Sequence, residues 1–343
     1  MSLFSKDMLN CLYKNVWVVL FAYLLGGLPW GCRKNDSQFE PYPPSALELL
    51  ELLSQTPDAS AEFTTTIQDF SRDTILTLPN GVRIWIEDVK SLLMDHQGQV
   101  FNPAACSDLR IRVMLLEKNG GAIIRGLSSA DESGRPLDLH GVIQIKFDCE
   151  THKQPLSLAN GRSLKIQIPA AAPLSNGLRL YAGMYKNNNP NIANTYWSAQ
   201  ADTLYLANWQ SSPGQTNTGY EFYTNRLGYV AWGKPFVAAN SVEQGNICVT
   251  LPTGHSVENT LVLLVFRQRI GAITLADTGN KAGGLFCAKG VPVGYPVRSI
   301  ALSKIGDDWL MGWIDTETAP NTSVEITLED KTPDQIIEYL RTL

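Results

Sequence analysis

Histidine is scarce in this chain: there are four in 343 residues, at His96, His140, His152 and His255. No pair of them has helical spacing, and no His-Glu-x-x-His run or His/Cys cluster occurs, so zinc chemistry has no recognisable ligand set. The strained elbow that presents a nucleophilic serine is missing too, because Gly254-His255-Ser256 is not Gly-x-Ser-x-Gly and reads as a hairpin loop. No two cysteines stand two residues apart, which removes zinc knuckles and Cys-x-x-Cys redox pairs. Asp131-Glu132 sits in a Ser/Gly-rich loop without the alternating Asp/Asn ligands of a calcium loop, and Asp307-Asp308 reads as a turn before Trp309. Paired carboxylates for glycoside cleavage would meet only in space and leave no spacing signature. The expectation is a non-enzymatic protein with no cofactor and no metal.

A basic excess is also absent. Lys and Arg total 28 against 33 Asp and Glu, a net charge of −5. No basic stretch or Arg-plus-aromatic cluster offers a nucleic-acid surface. Only one apolar run is long enough to matter for a membrane: Thr260–Phe266 stops at Arg267, so no later segment approaches a span.

That one run, Val16–Leu28, follows Lys6 and Lys14. It is too short for a bilayer of ~30 Å and of the right length for a signal-peptide core. It ends in Leu28-Pro29-Trp30-Gly31-Cys32. A small residue before a cysteine is what lipoprotein signal peptidase cleaves, leaving a thiol that carries diacylglycerol. Pro29 and Trp30 depart from the usual lipobox residues. Cleavage without lipidation, leaving Cys32 a plain thiol, and an uncleaved anchor are the rival readings. Lipidation at Cys32 makes the membrane a partner and places the chain at the outer membrane, periplasmic or surface-facing, because two or three acyl chains hold stably where one does not.

Residues 1–31 are thus read as the signal peptide, leaving about 310 residues, enough for two domains. Residues 32–59 form a Pro-rich spacer (Pro41, Pro43, Pro44) and a short helix from Ser45. From Phe63 the pattern becomes short alternating strands. Ile75–Leu78, Pro79-Asn80-Gly81 and Val82–Ile86 make a strand, a tight turn and a strand that alternates Val/Ile with Arg83 and Trp85. Leu109–Leu115 alternates with Arg110 and Arg112 on its wet face, followed by strands at Gly141–Phe147 and Ser163–Ile168. Ala170–Pro173 is taken as a boundary, giving an all-β architecture of two sandwich-like domains, 60–170 and 171–343. Thr332, Pro333 and Asp334 supply an N-cap, an N1 proline and a first-turn acid, so a C-terminal helix is expected to dock on the second domain through Ile336, Ile337 and Leu340. Cys106, Cys149, Cys248 and Cys287 allow three pairings. Pairing within each domain is the simplest, and buried free thiols are the alternative.

Several stretches together resemble a group of uncharacterised Bacteroidota envelope lipoproteins with tandem β domains. They are Asp73–Ile86 with its Leu-Pro-Asn-Gly turn, Gly141–Ile145, Pro155–Leu164, Trp197-Ser198, Tyr220–Tyr229 and Val291–Gly294. Where that group has Trp-Ile-Asn-Cys-Asp after Leu-Gly, this chain has Tyr229-Val-Ala-Trp-Gly. The resemblance implies architecture and location and no activity.

Aromatics crowd between Tyr196 and Trp232. Their faces either stack on sugars and anchor partners or fill a core. Two functional readings follow. One is a structural or protein-interaction module at the envelope with its rings buried. The other is a surface glycan-binding lipoprotein presenting Trp197, Trp209, Tyr229 and Trp232.

Overall fold

In the computed structural model the described residues are Leu49 and 62–343, apart from 152–153, 171–174, 186–194, 213, 237–243 and 278–283. The signal run, Cys32 and the helix expected from Ser45 lie outside them, save Leu49, which is buried.

The order of the longer elements is β1 Glu62–Ile67, β2 Thr74–Thr77, β3 Arg83–Ile86, β4 Leu109–Leu116, α1 Asn119–Ile124, β5 Leu137–Cys149, β6 Leu164–Pro169, β7 Arg179–Tyr185, β8 Thr195–Ala199, β9 Tyr205–Ser212, β10 Gln215–Thr224 and β11 Gly228–Pro235. Then come β12 Gln244–Thr250, β13 Thr260–Phe266, β14 Leu285–Pro292, β15 Pro296–Ile305, β16 Asp308–Glu317, β17 Asn321–Glu325 and α2 Pro333–Arg341. The protein is mostly β, as its alternating runs require.

Sheet I runs β1-β4-β5-β11-β7-β8 and sheet II runs β9-β10-β6-β3-β2. Their facing sides share one core. Ile111, Val113, Ile143, Ile145 and Val230 of sheet I meet Ile84, Ile86, Ile166 and Phe222 of sheet II. Because side chains alternate across a strand, this packing sends Arg110, Arg112, Lys165 and Gln167 to the outer faces. Sheets III (β14-β12-β17) and IV (β13-β15-β16) repeat the arrangement, with Ile247, Val249 and Phe286 against Val262, Leu264, Val297 and Ala301.

The boundary expected at 170–173 does not follow the sheets. β6 pairs with β10 and β5 pairs with β11, so strands from both sides of residue 170 share sheets I and II. The changeover falls between β11 and β12. Ala170–Pro173 looked like a linker because it is small and Pro-containing, yet it only carries the chain between strands of one sandwich. Long-range pairing of this kind has no local signature.

Cys106 is joined to Cys149 and Cys248 to Cys287. The second pair bridges directly opposed residues of β12 and β14.

Helix α2 covers the outer face of sheet IV, burying Ile336 and Leu340 against Ile300, Leu302 and Met311. Its start is a full capping box: the Thr332 hydroxyl accepts from the Gln335 N–H, and the Gln335 side chain accepts from the Thr332 N–H at 2.9 Å. Helix α1 meets it closely. A Cβ on Gly120 would lie 1.9 Å from the Leu340 carbonyl oxygen, so only glycine fits there. We expect Thr332→Ala to lower stability by ~1 kcal/mol, the usual cost of losing a cap, with Thr332→Ser close to wild type in urea melts.

Candidate functional site

The four aromatic candidates do not form an exposed platform. Trp232 is 3% exposed and lies inside the first sandwich, its ring over Gly141, where a Cβ would sit 2.0 Å from Cζ2. Trp197 is 1% exposed on the outer face of sheet I, beneath Leu127, Leu139 and Ile270, and its indole N–H donates to the Ser128 carbonyl at 2.5 Å. Trp209, on the outer side of sheet II, is 6% exposed. Tyr229 is half-buried; its hydroxyl contacts Gln144, and burial pushes its pKa up. Aromatic density was the signal for a platform, but both faces of sheet I are covered over part of their extent. Rings there are core whichever way they point.

The other sequence candidates are structural too. Asp131 closes its own loop, accepting from the Ser133 and Arg135 backbone N–H groups and pairing with the Arg135 guanidinium at 2.7 Å. Among the described residues no group of three or more His, Cys, Asp or Glu could hold a metal ion, and no helix is long and apolar enough to cross a membrane.

His255 is more than turn filler. Its Nδ1 lies 2.9 Å from the Ser303 hydroxyl, which also contacts Thr260 and donates to the Asn259 carbonyl. A serine beside a histidine suggests a nucleophile and base, but Ser303 is wholly buried and no substrate carbonyl can reach it. Burial pushes the His255 pKa below its ordinary 6.5. The folded state therefore resists protonation while the unfolded chain accepts it, so stability is full above about pH 6.5 and falls as pH drops toward the folded pKa. We expect His255→Gln to flatten that part of a Tm-against-pH profile; an unchanged slope would assign the acid sensitivity elsewhere.

What the molecule does present is the outer face of sheet II. Two cross-strand rows run over it. Ile75, Trp85, Lys165 and Tyr223 are successive neighbours in register, and so are Thr77, Arg83, Gln167, Glu221 and Tyr205. Such opposed side chains touch because neighbouring strands lie ~5 Å apart. Arg83 and Lys165 both stand over the Trp85 ring, 4.6 and 4.9 Å from its centroid. Glu221 takes Lys165 at 3.1 Å and the Gln167 amide N–H at 2.6 Å. Tyr205 is 54% exposed, Tyr223 42% and Ile75 47%.

The face is curled. Arg83 Nη1 donates to the Gln210 carbonyl at 3.3 Å, although β6 and β10 lie between β3 and β9. On a flat sheet those three intervals alone span ~14 Å, further than an arginine side chain reaches. The far half of the β9–β10 hairpin therefore bends across toward β3. Asn217 also comes beside Gly81 in the β2–β3 turn, where a positive φ of 84° and the close Asn217 and Pro169 side chains call for glycine. Under this bend two buried polar atoms have no hydrogen-bond partner among the described residues, Gln167 Oε1 and Trp209 Nε1.

Sequence reasoning passed over Trp85, Tyr205, Tyr223 and Glu221 as site residues. Alternation in Val82–Ile86 did set Arg83 and Trp85 on the face opposite Val82, Ile84 and Ile86. It held no information on which strands adjoin that face.

No family model matches the chain, and no curated protein matches it.

Proposed function

We propose that this chain is a lipid-anchored envelope protein acting as a non-enzymatic interaction module, tethered through Cys32 and engaging its partner with the outer face of sheet II. One observation carries the reading. Part of sheet I's outer face is covered by the 119–139 segment and Ile270, and that of sheet IV by α1 and α2. The outer face of sheet II instead keeps two exposed tyrosines and an interleaved set of charges in two registered rows. Exposed aromatic and Arg side chains on a shaped surface are the usual anchors of recognition. The enclosure of Ser303 supports the non-enzymatic part.

Two experiments test it. Cys32→Ser should move the chain from the membrane to the soluble fraction; unchanged fractionation refutes the anchor. A photo-crosslinking residue at Tyr223 should capture an envelope component in cells, while one at the exposed Asn321 should not. Capture at neither or at both positions refutes the face as the module's contact.

A further inference from the structure

We propose that the Cys248–Cys287 disulfide is a thiol-exchange site on the folded protein, opened by an external thiolate under conditions in which Cys106–Cys149 stays closed. This stands independently of the contact assigned to sheet II.

Alternation puts the two disulfides in different places. Ile247 and Val249 of β12 and Phe286 of β14 point into the second sandwich. Cys248 and Cys287 lie between or beside them in the chain, so they point outward, because successive side chains take opposite faces of a strand. Both are half-buried. Cys106 and Cys149 are instead 3% and 4% exposed and belong to the core of the first sandwich with Phe101 and Leu109. One bond is core and the other is surface.

The register around the outer pair keeps it approachable. Ala276, Cys287, Cys248 and Ser323 are successive cross-strand neighbours in one row over sheet III. Ala276 and Ser323 flank the disulfide, and both are exposed. Their side chains are too short to fold over the sulfurs. Along β12 the neighbours on the same face are Asn246 and Thr250, which are exposed as well. Exchange needs the attacking thiolate to reach a sulfur, so access decides which bond opens, and a disulfide enclosed in a core is inert.

The step balances without an oxidant. The thiolate attacks one sulfur, a new S–S bond forms, and the old one breaks with its electron pair on the other cysteine, which takes a proton from water. The fold does not depend on the bond for its register: β12 and β14 are paired from Gln244–Pro292 to Thr250–Leu285. The freed thiol therefore stays opposite the mixed disulfide and can reverse the reaction by expelling the external thiol. The site cycles between closed and thiol-bearing forms within one folded state.

The test uses the full-length chain with any free thiol first blocked by N-ethylmaleimide, so that every later thiol comes from a disulfide. Excess reduced glutathione, or a folded protein carrying a single surface cysteine, is added without denaturant. Timed quenching with isotopically labelled N-ethylmaleimide and peptide mapping follow. Cys248 and Cys287 should be labelled or thiolated at least about tenfold faster than Cys106 and Cys149, with circular dichroism unchanged. Exchange with glutathione alone would support a site for small thiols, and exchange with the protein as well would support one that also takes protein thiols. A Cys248→Ser, Cys287→Ser double variant that folds should take up neither. Equal rates at the two bonds, earlier opening of Cys106–Cys149, or no opening of Cys248–Cys287 until urea unfolds the chain would each overturn the proposal.

Discussion

Replacing Trp197 by alanine should lower the unfolding free energy by ~3–5 kcal/mol, the range for losing a buried aromatic ring and leaving a cavity. The ring is 1% exposed and packs with Met114, Val142, Tyr181 and Ile270, so the site is hemmed in by sheet I below and the 126–139 segment above. It cannot collapse easily. The indole N–H also donates to the Ser128 carbonyl, and Ser128 is itself buried. Trp197→Phe should keep most of the packing and lose mainly that bond, costing ~1–3 kcal/mol. Urea denaturation of both variants measures this. A loss under ~1 kcal/mol for alanine, within what an exposed position gives, would take Trp197 out of the core and return it to the list of free rings.

Asn119→Leu should cost a similar ~3–5 kcal/mol although it keeps the same branched side chain of four heavy atoms. Asn119 begins α1 and is 6% exposed. Its Nδ2 donates to the carbonyls of Phe266 and Arg269 at 2.9 and 2.8 Å, and its Oδ1 accepts from the Gly271 N–H at 2.6 Å. One side chain thus satisfies three backbone groups in the turn after β13. Leucine leaves the buried Gly271 N–H and the Arg269 carbonyl without these partners, and the Phe266 carbonyl with only the longer bond from the Arg269 N–H. The contact also ties sheets I and II to sheets III and IV. The same seam carries the Ser129 N–H on the Ala272 carbonyl at 2.7 Å and the bridge between Leu139 and Ile270. A urea curve that keeps its slope and shifts its midpoint would report a loss to the whole fold; a split curve would show the two sandwiches unfolding separately. Wild-type stability would refute the latch.

Much of the fold was legible one strand at a time. Alternation in Leu109–Leu115 put Ile111 and Val113 inward and Arg110 and Arg112 outward, and the structure places them so, with Arg112 on Asp148. The α2 start was readable to the residue because a cap, an N1 proline and a first-turn acid act within four positions. The domain boundary was not readable. Ala170–Pro173 has a linker's composition, but β6 before it and β10 after it are partners.

The site divides the same way. Local pattern alone could tell that Arg83, Trp85, Lys165 and Gln167 each stand opposite the apolar face of a strand. It could not tell that β3, β6 and β10 lie side by side, or that the β9–β10 hairpin bends over them. Nor could it tell that Trp197, Trp209 and Trp232 are enclosed. Secondary structure and facing depend on neighbours a few residues away, so the amino-acid sequence by itself determines them. Which faces adjoin and which are covered depends on pairings between residues tens of positions apart, whose energy comes from shared burial, and only the tertiary structure decides it.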